Sequence, residues 1–159
     1  MALTTGAVGA SVKPKDGPPE IWTVKGECKR LIVRNEKLTS SCTGEVTRTK
    51  FSDGTITFSF SDGRNWLIFR TKEASARLWQ NYKTILAVDG VAFGAIGSEP
   101  GFIAKVAGAS CSYGAPYLRQ ADVNCTALVN FEMWAVIIET DGHLPVPDSE
   151  YIPPTLSAP

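Results

Sequence analysis

Four cysteines carry the plainest chemical spacing in this 159-residue chain: Cys28 and Cys42 lie fourteen residues apart, and so do Cys111 and Cys125. Structural zinc sites usually set two cysteines two to four residues apart, and no such knuckle occurs here. The spacing suits two cross-linked hairpins instead. A bend centred on Asn35 makes positions that sum to 70 face each other, so Cys28 meets Cys42 and Ile32 meets Leu38. A bend centred on Leu118 sets Cys111 against Cys125 in the same way. Opposed Cβ atoms in an antiparallel pair are about 4.5–5.5 Å apart, close enough for a small adjustment to allow a bridge. Disulfides 28–42 and 111–125 are therefore expected, and with them a periplasmic or secreted location, because such bonds persist in oxidising compartments.

Acid–base chemistry has little to work with. The single histidine, His143, has Asp141 two residues before it, and Ser110 or Ser112 offers a hydroxyl, so a Ser/His/Asp hydrolase is arithmetically available. Nothing in the spacing brings these residues together, and the Gly-x-Ser-x-Gly elbow is absent. One histidine cannot build a zinc hydrolase site. Gly94, Gly97 and Gly101 lack the Gly-Lys-Ser/Thr that cradles phosphate. No catalytic set, metal site or cofactor is expected, and a hydrolase built on His143 is a minor alternative.

Binding chemistry is better represented. Sixteen Lys and Arg balance sixteen Asp and Glu, which excludes a uniformly basic nucleic-acid binder, and no specific nucleic-acid signal is present. The balance is uneven along the chain: residues 1–83 hold fourteen basic and eight acidic side chains, a balance of +6, and residues 84–159 hold two and eight, a balance of −6. Interleaving of the two halves in one fold is the expected outcome. Trp66 falls on the face opposite Phe58 and Leu67, and Arg48, Lys50, Arg64 and Arg70 flank it in sequence. An exposed aromatic among cations suits a protein or an anionic surface. The leading expectation is thus a non-enzymatic domain that binds a macromolecule through this basic, aromatic face. The alternative is a small β-barrel carrier in which Phe58, Phe60, Leu67, Phe69 and Trp134 line a cavity for an apolar small molecule.

The elements that must position these residues are mostly strands. Five of the seven aspartates precede glycine, at 16–17, 53–54, 62–63, 89–90 and 141–142, and Asp-Gly favours tight hairpin turns. Turns at Asp53-Gly54 and Asp62-Gly63 give a three-stranded meander with Ile56, Phe58 and Phe60 on one face, Phe58 opposite Leu67 and Ile56 opposite Phe69. Ala74, Leu78 and Tyr82 recur every four residues behind a possible cap at Thr71, which predicts a short helix over 72–82. A hairpin about Asp89-Gly90 and strands at 102–107, 123–129 and 131–139 complete the pattern. The last is so apolar through Met133–Ile138 that cover on both faces is expected. The fold class is mainly β, an antiparallel β-sandwich or small β-barrel with one helix, with α+β as the alternative. Residues 1–20 read as a flexible leader, with Val8-Gly9-Ala10 resembling the remnant of a secretion-signal cleavage site. Residues 21–143 form a single domain, and the prolines of 144–159 suggest an extended tail. No stretch reaches the roughly 18 apolar residues of a transmembrane helix.

Overall fold

Alternation of apolar and polar residues decides which way each strand faces, and in this chain the apolar faces all turn toward one interior. The computed structural model describes residues 17–79, 83–114, 122–140 and 146–147. Its strands are β1 (Glu20–Val33), β2 (Glu36–Lys37), β3 (Glu45–Lys50), β4 (Thr55–Ser61), β5 (Asn65–Lys72), β6 (Arg77–Trp79), β7 (Lys83–Ala95), β8 (Ala107–Tyr113), β9 (Asp122–Val129), β10 (Glu132–Thr140) and β11 (Val146–Pro147). Eight of them, β1, β3, β4, β5, β7, β8, β9 and β10, pair antiparallel in chain order, and β10 returns to β1. The result is a closed up-and-down barrel, which removes the free strand edges that a sandwich would leave. The short β2 and β6 lean on β1 and β7, and β11 pairs with Trp22 and Thr23 of β1.

The interior is filled by side chains. Phe58, Phe60, Leu67, Phe69 and Trp134 are each no more than 1% exposed, and full burial of such a side chain is worth about 1.5–3 kcal/mol. Rings meet edge to face between Phe60 and Phe69 at 6.1 Å and between Phe93 and Trp134 at 6.4 Å. Cys111 and Cys125, paired across β8 and β9, are bonded inside this core, with their Cα atoms 4.0 Å apart. Ser112↔Asn124 and Tyr113↔Val123 share that register, centred on position 118 as the spacing implies.

Several expectations need correction. No α-helix occurs among the described residues. Glu73–Ser75 make one 3-10 turn, and Arg77–Trp79 pair as a strand with Lys83–Ile85. Thr71, taken as a helix cap, is a buried strand residue whose hydroxyl donates to the Ile56 carbonyl at 2.8 Å. The four-residue recurrence misleads because Leu78 is exposed rather than packed. Asp89-Gly90 is not a hairpin turn either. Arg70 faces Gly90 and Thr71 faces Val88, so Asp89 is the extra residue of a bulge inside the continuous strand β7. Cys28 and Cys42 are bonded, but not by direct opposition in a ladder. The turn is Arg34-Asn35, with φ of 52° and 66°, and Val33 pairs with Glu36. After Lys37 the chain makes a 3-10 turn at Thr39–Ser41, where the Leu31 N–H donates to Thr39 Oγ1, and that turn brings Cys42 back to Cys28.

The meander keeps its predicted face with its pairing shifted by two. Phe58 meets Phe69 and Phe60 meets Leu67, because the turn centres on Gly63-Arg64 rather than Asp62-Gly63. Gly63, at φ 94°, is the first central residue, as in a type II′ turn. The Asp62 carboxylate accepts the N–H groups of Arg64 and Asn65 at 2.9 and 2.7 Å and so fixes this position. Of residues 102–107, only Ile103 bridges to Val91, and the strand begins at Ala107. Strand β10 turns Trp134, Val136 and Ile138 inward, while Met133 stands on the outer face, 41% exposed. Cover on both faces is therefore incomplete at its start. The charged halves do not interleave, since chain-order pairing gives β1–β5 one side of the wall and β7–β10 the other.

Candidate functional site

The strand ladders divide the expected patch between two faces. Directly opposed residues share a face. Arg48 pairs with Phe58 and Lys50 with Ile56, so both cations stand on the interior side of the wall, near the mouth where β1 begins. Trp66 and Arg70 pair with Ser61 and Thr57 on the outer side. One residue of loop length accounts for the split. A two-residue turn at Asp53-Gly54 would have set Arg48 against Ser59, on the outside. The actual connection is a three-residue loop, with Phe51 N–H donating to the Thr55 carbonyl at 2.8 Å and Gly54 at φ 88°, and a slip of one reverses every side chain.

Each expected residue has a definite local role. Arg70 donates from Nε to Asp89 Oδ1 at 2.7 Å and from a terminal nitrogen to the Asp89 carbonyl at 3.3 Å, and its guanidinium lies 4.6 Å from the Phe102 ring centre. It thus clamps the β5–β7 seam. Lys50 is paired with Glu73 at 2.8 Å. Trp66 is half-buried, its ring laid over Gly94, where a Cβ would come within 3.3 Å of the indole. Arg64 is exposed, and its carbonyl accepts the N–H of Ile96 at 3.0 Å, which joins the 62–64 turn to the loop after β7.

Arg64 and Trp66 belong to a larger cluster that sequence reasoning missed. Four connections meet at the same end of the barrel: those after β1, β4, β7 and β9. Of the six exposed large hydrophobic side chains among the described residues, Ile96, Leu128, Phe131 and Met133 lie at this rim. Phe131 is 99% exposed. It forms with Asn130 a two-residue turn in which both φ angles are positive, 52° and 64°. Such a conformation is unusual for a bulky side chain. The neighbouring Arg34-Asn35 turn has the same geometry, and the two are joined. The Asn35 side-chain oxygen accepts the Met133 N–H at 2.8 Å, and the Asn35 N–H donates to the Met133 carbonyl at 3.1 Å. Arg34 sits over the indole of the buried Trp134 at 5.6 Å. The rim also carries Glu36, Glu132 and Asp62, the last already engaged by its own turn. An asparagine between the apolar runs of β9 and β10 was the available signal, because asparagine tolerates positive φ.

The other readings meet the structure differently. The five side chains expected to line a carrier cavity are packed in the core, each no more than 1% exposed. Ser110 and Ser112 stand on the outer side of β8, since Cys111 between them points inward. His143 and Asp141 lie outside the described residues. Among the described residues no helix is long and apolar enough to cross a membrane. All four cysteines are in disulfides, which points to an oxidising, extracytoplasmic compartment. Comparison of the chain with protein-family models, with curated proteins and with solved structures finds no match in any of the three.

Proposed function

We propose that this chain is a non-catalytic binding domain of the periplasm or the extracellular space, and that it holds a macromolecular partner at the aromatic rim formed by Trp66, Ile96 and Phe131, with Arg34 and Arg64 as its polar contacts. The observation that carries this reading is Phe131, a phenyl group held in water by a backbone conformation that disfavours it. Strained residues persist where the surrounding structure over-determines them, and they cluster at binding sites. Arg34 adds a cation on the turn joined to the β9–β10 hairpin, Arg64 adds one on the β4–β5 turn at the same end of the barrel, and both belong to the basic half of the chain. Arg48, Lys50 and Arg70 drop out of the contact surface, the first two because they face inward and the third because Asp89 and Phe102 occupy it.

A photo-crosslinking side chain placed at position 131 tests the reading in the native cell envelope. A discrete adduct should form there, weaken at high salt, and disappear when Arg34→Glu and Arg64→Glu are added. The control is position 78, which is 73% exposed but lies on β6 away from the rim. Equal adducts at 78 and 131, or an adduct at 131 indifferent to both charge reversals, would overturn the proposal.

A further inference from the structure

The inward-facing cations pose a question separate from the rim. Toward the mouth where β1 begins, the interior passes through three layers: Val24, Val46 and Phe60; then Trp22, Arg48 and Phe58; then Glu20, Lys50 and Ile56. The first layer is sealed, and Phe58 in the second is sealed as well. Trp22 and Arg48 are only half-buried. The Arg48 guanidinium lies over the Trp22 ring at 5.3 Å, and Phe58, across the ladder from Arg48, touches the half-buried Tyr113 ring at 5.4 Å. Three aromatic rings therefore accompany one guanidinium at this mouth.

That guanidinium lacks the partner its setting calls for. Among the described residues it makes no ion pair, and its Nε is buried with no acceptor. The nearest charges are otherwise placed: Lys50 is bonded to Glu73, and Glu20 stands one layer further out, opposite Lys50. A buried N–H of a charged group is expensive to leave unsatisfied, and a guanidinium stacked on an indole presents its edge to a planar or tetrahedral oxyanion.

We propose that the barrel mouth is a binding site for a small amphipathic anion, whose carboxylate, sulfonate or phosphate is held by Arg48 and whose apolar body lies against Trp22 and Tyr113. This site is independent of the rim, lies at the other end of the barrel, and requires no cavity in the packed interior.

Anilinonaphthalene sulfonate and phenylnaphthylamine share an aromatic body and differ by the anion, so their fluorescence titrations on the full chain separate the two contributions. The sulfonate should bind the wild type about tenfold or more tightly than the neutral compound. Arg48→Met should remove that advantage and leave phenylnaphthylamine unchanged, while Phe131→Ser, at the rim, should leave both probes unchanged. A second measurement needs no variant: dodecanoate should displace the sulfonate probe from wild-type protein far better than dodecanol, and dodecyl phosphate in the same assay shows which oxyanion is preferred. Equal affinity of the two probes for wild type, equal displacement by acid and alcohol, or a folded Arg48→Met protein that keeps the sulfonate preference would overturn the proposal. Loss of sulfonate binding in Phe131→Ser would instead place the probe at the rim and overturn it too.

Discussion

With φ of 64° and 99% of its surface in water, Phe131 combines a backbone cost with no burial to offset it. Left-handed conformation costs an L-residue about 1–2 kcal/mol, and glycine escapes that cost. Phe131→Gly should therefore raise stability by about 1 kcal/mol in urea melts while it weakens partner binding. A midpoint that falls would mean that the phenyl ring makes contacts within the fold. Gly26 is the opposite case. It faces Thr140 where β10 closes on β1, and a Cβ there would fall on the Glu139 carbonyl. Gly26→Ala should destabilise by about 1–3 kcal/mol, the usual cost of overpacking, and thermal melts would show it. Neither residue declares its role by type. Phe131 reads as one more apolar residue ahead of β10, and Gly26 as turn punctuation, because the close approach that demands it comes from a strand more than a hundred residues later.

Of the ion pairs among the described residues, Arg70–Asp89 crosses one seam where the basic and acidic sides of the wall meet and Lys29–Glu27 lies within β1 beside the other, while Lys25–Glu45 links β1 to β3 inside the basic side. Arg70 and Asp89 join β5 to β7. At the β1–β10 seam Lys29, the bulge residue of β1, bonds Glu27 at 2.8 Å, and that bond, with further attraction from Glu139 and Asp122, raises its ammonium above the ordinary lysine value. Read from sequence, the ribbon between Cys28 and Cys42 looks like crowded cations that a disulfide must restrain and that salt would relieve. The structure changes that expectation, because only two residue pairs form between β1 and β2 and the remaining neighbours of β1 include acids. Cys28→Ser/Cys42→Ser should lose about 3 kcal/mol, as expected for a closed loop of this length, and sodium chloride should not restore it. Recovery in salt would show that repulsion in the ribbon matters after all. Legibility at this scale followed parity. The faces of Phe58 and Cys111 survive any register error of two, so both were readable from alternation. The face of Arg48 was not, because one additional residue in the Ser52–Gly54 loop reverses it.

For the molecule as a whole, closure was the feature least available from sequence, since strand number and turn chemistry suit a sandwich as well as a barrel. Two turns contribute to its acid response. The Thr55 N–H bonded to Asp53 holds that carboxyl below the usual aspartate range. Asp62 is pushed up by partial desolvation, but the Asn65 and Arg64 N–H groups outweigh this and leave it lowered. Unfolded aspartates titrate near about 3.9, so the folded chain binds fewer protons just below that value. The stabilisation is complete above about pH 5 and is lost as pH falls through the depressed values. Urea melts at pH 7 and pH 3 should show a smaller acid loss for Asp53→Asn/Asp62→Asn than for wild type. Equal losses would place the acid sensitivity elsewhere. Chain-order pairing has one more consequence, which concerns how the molecule is made. Cys28 is bonded to Cys42 and Cys111 to Cys125, so oxidation in the order in which the cysteines are synthesised gives the native bridges directly, with no need for reshuffling. The closing contact of β1 with β10 joins residues more than a hundred positions apart, and it must wait for the last strand. Until then β1 offers an unpaired edge beside an open apolar interior, so the exposure that favours aggregation belongs to the incomplete chain rather than to the finished barrel.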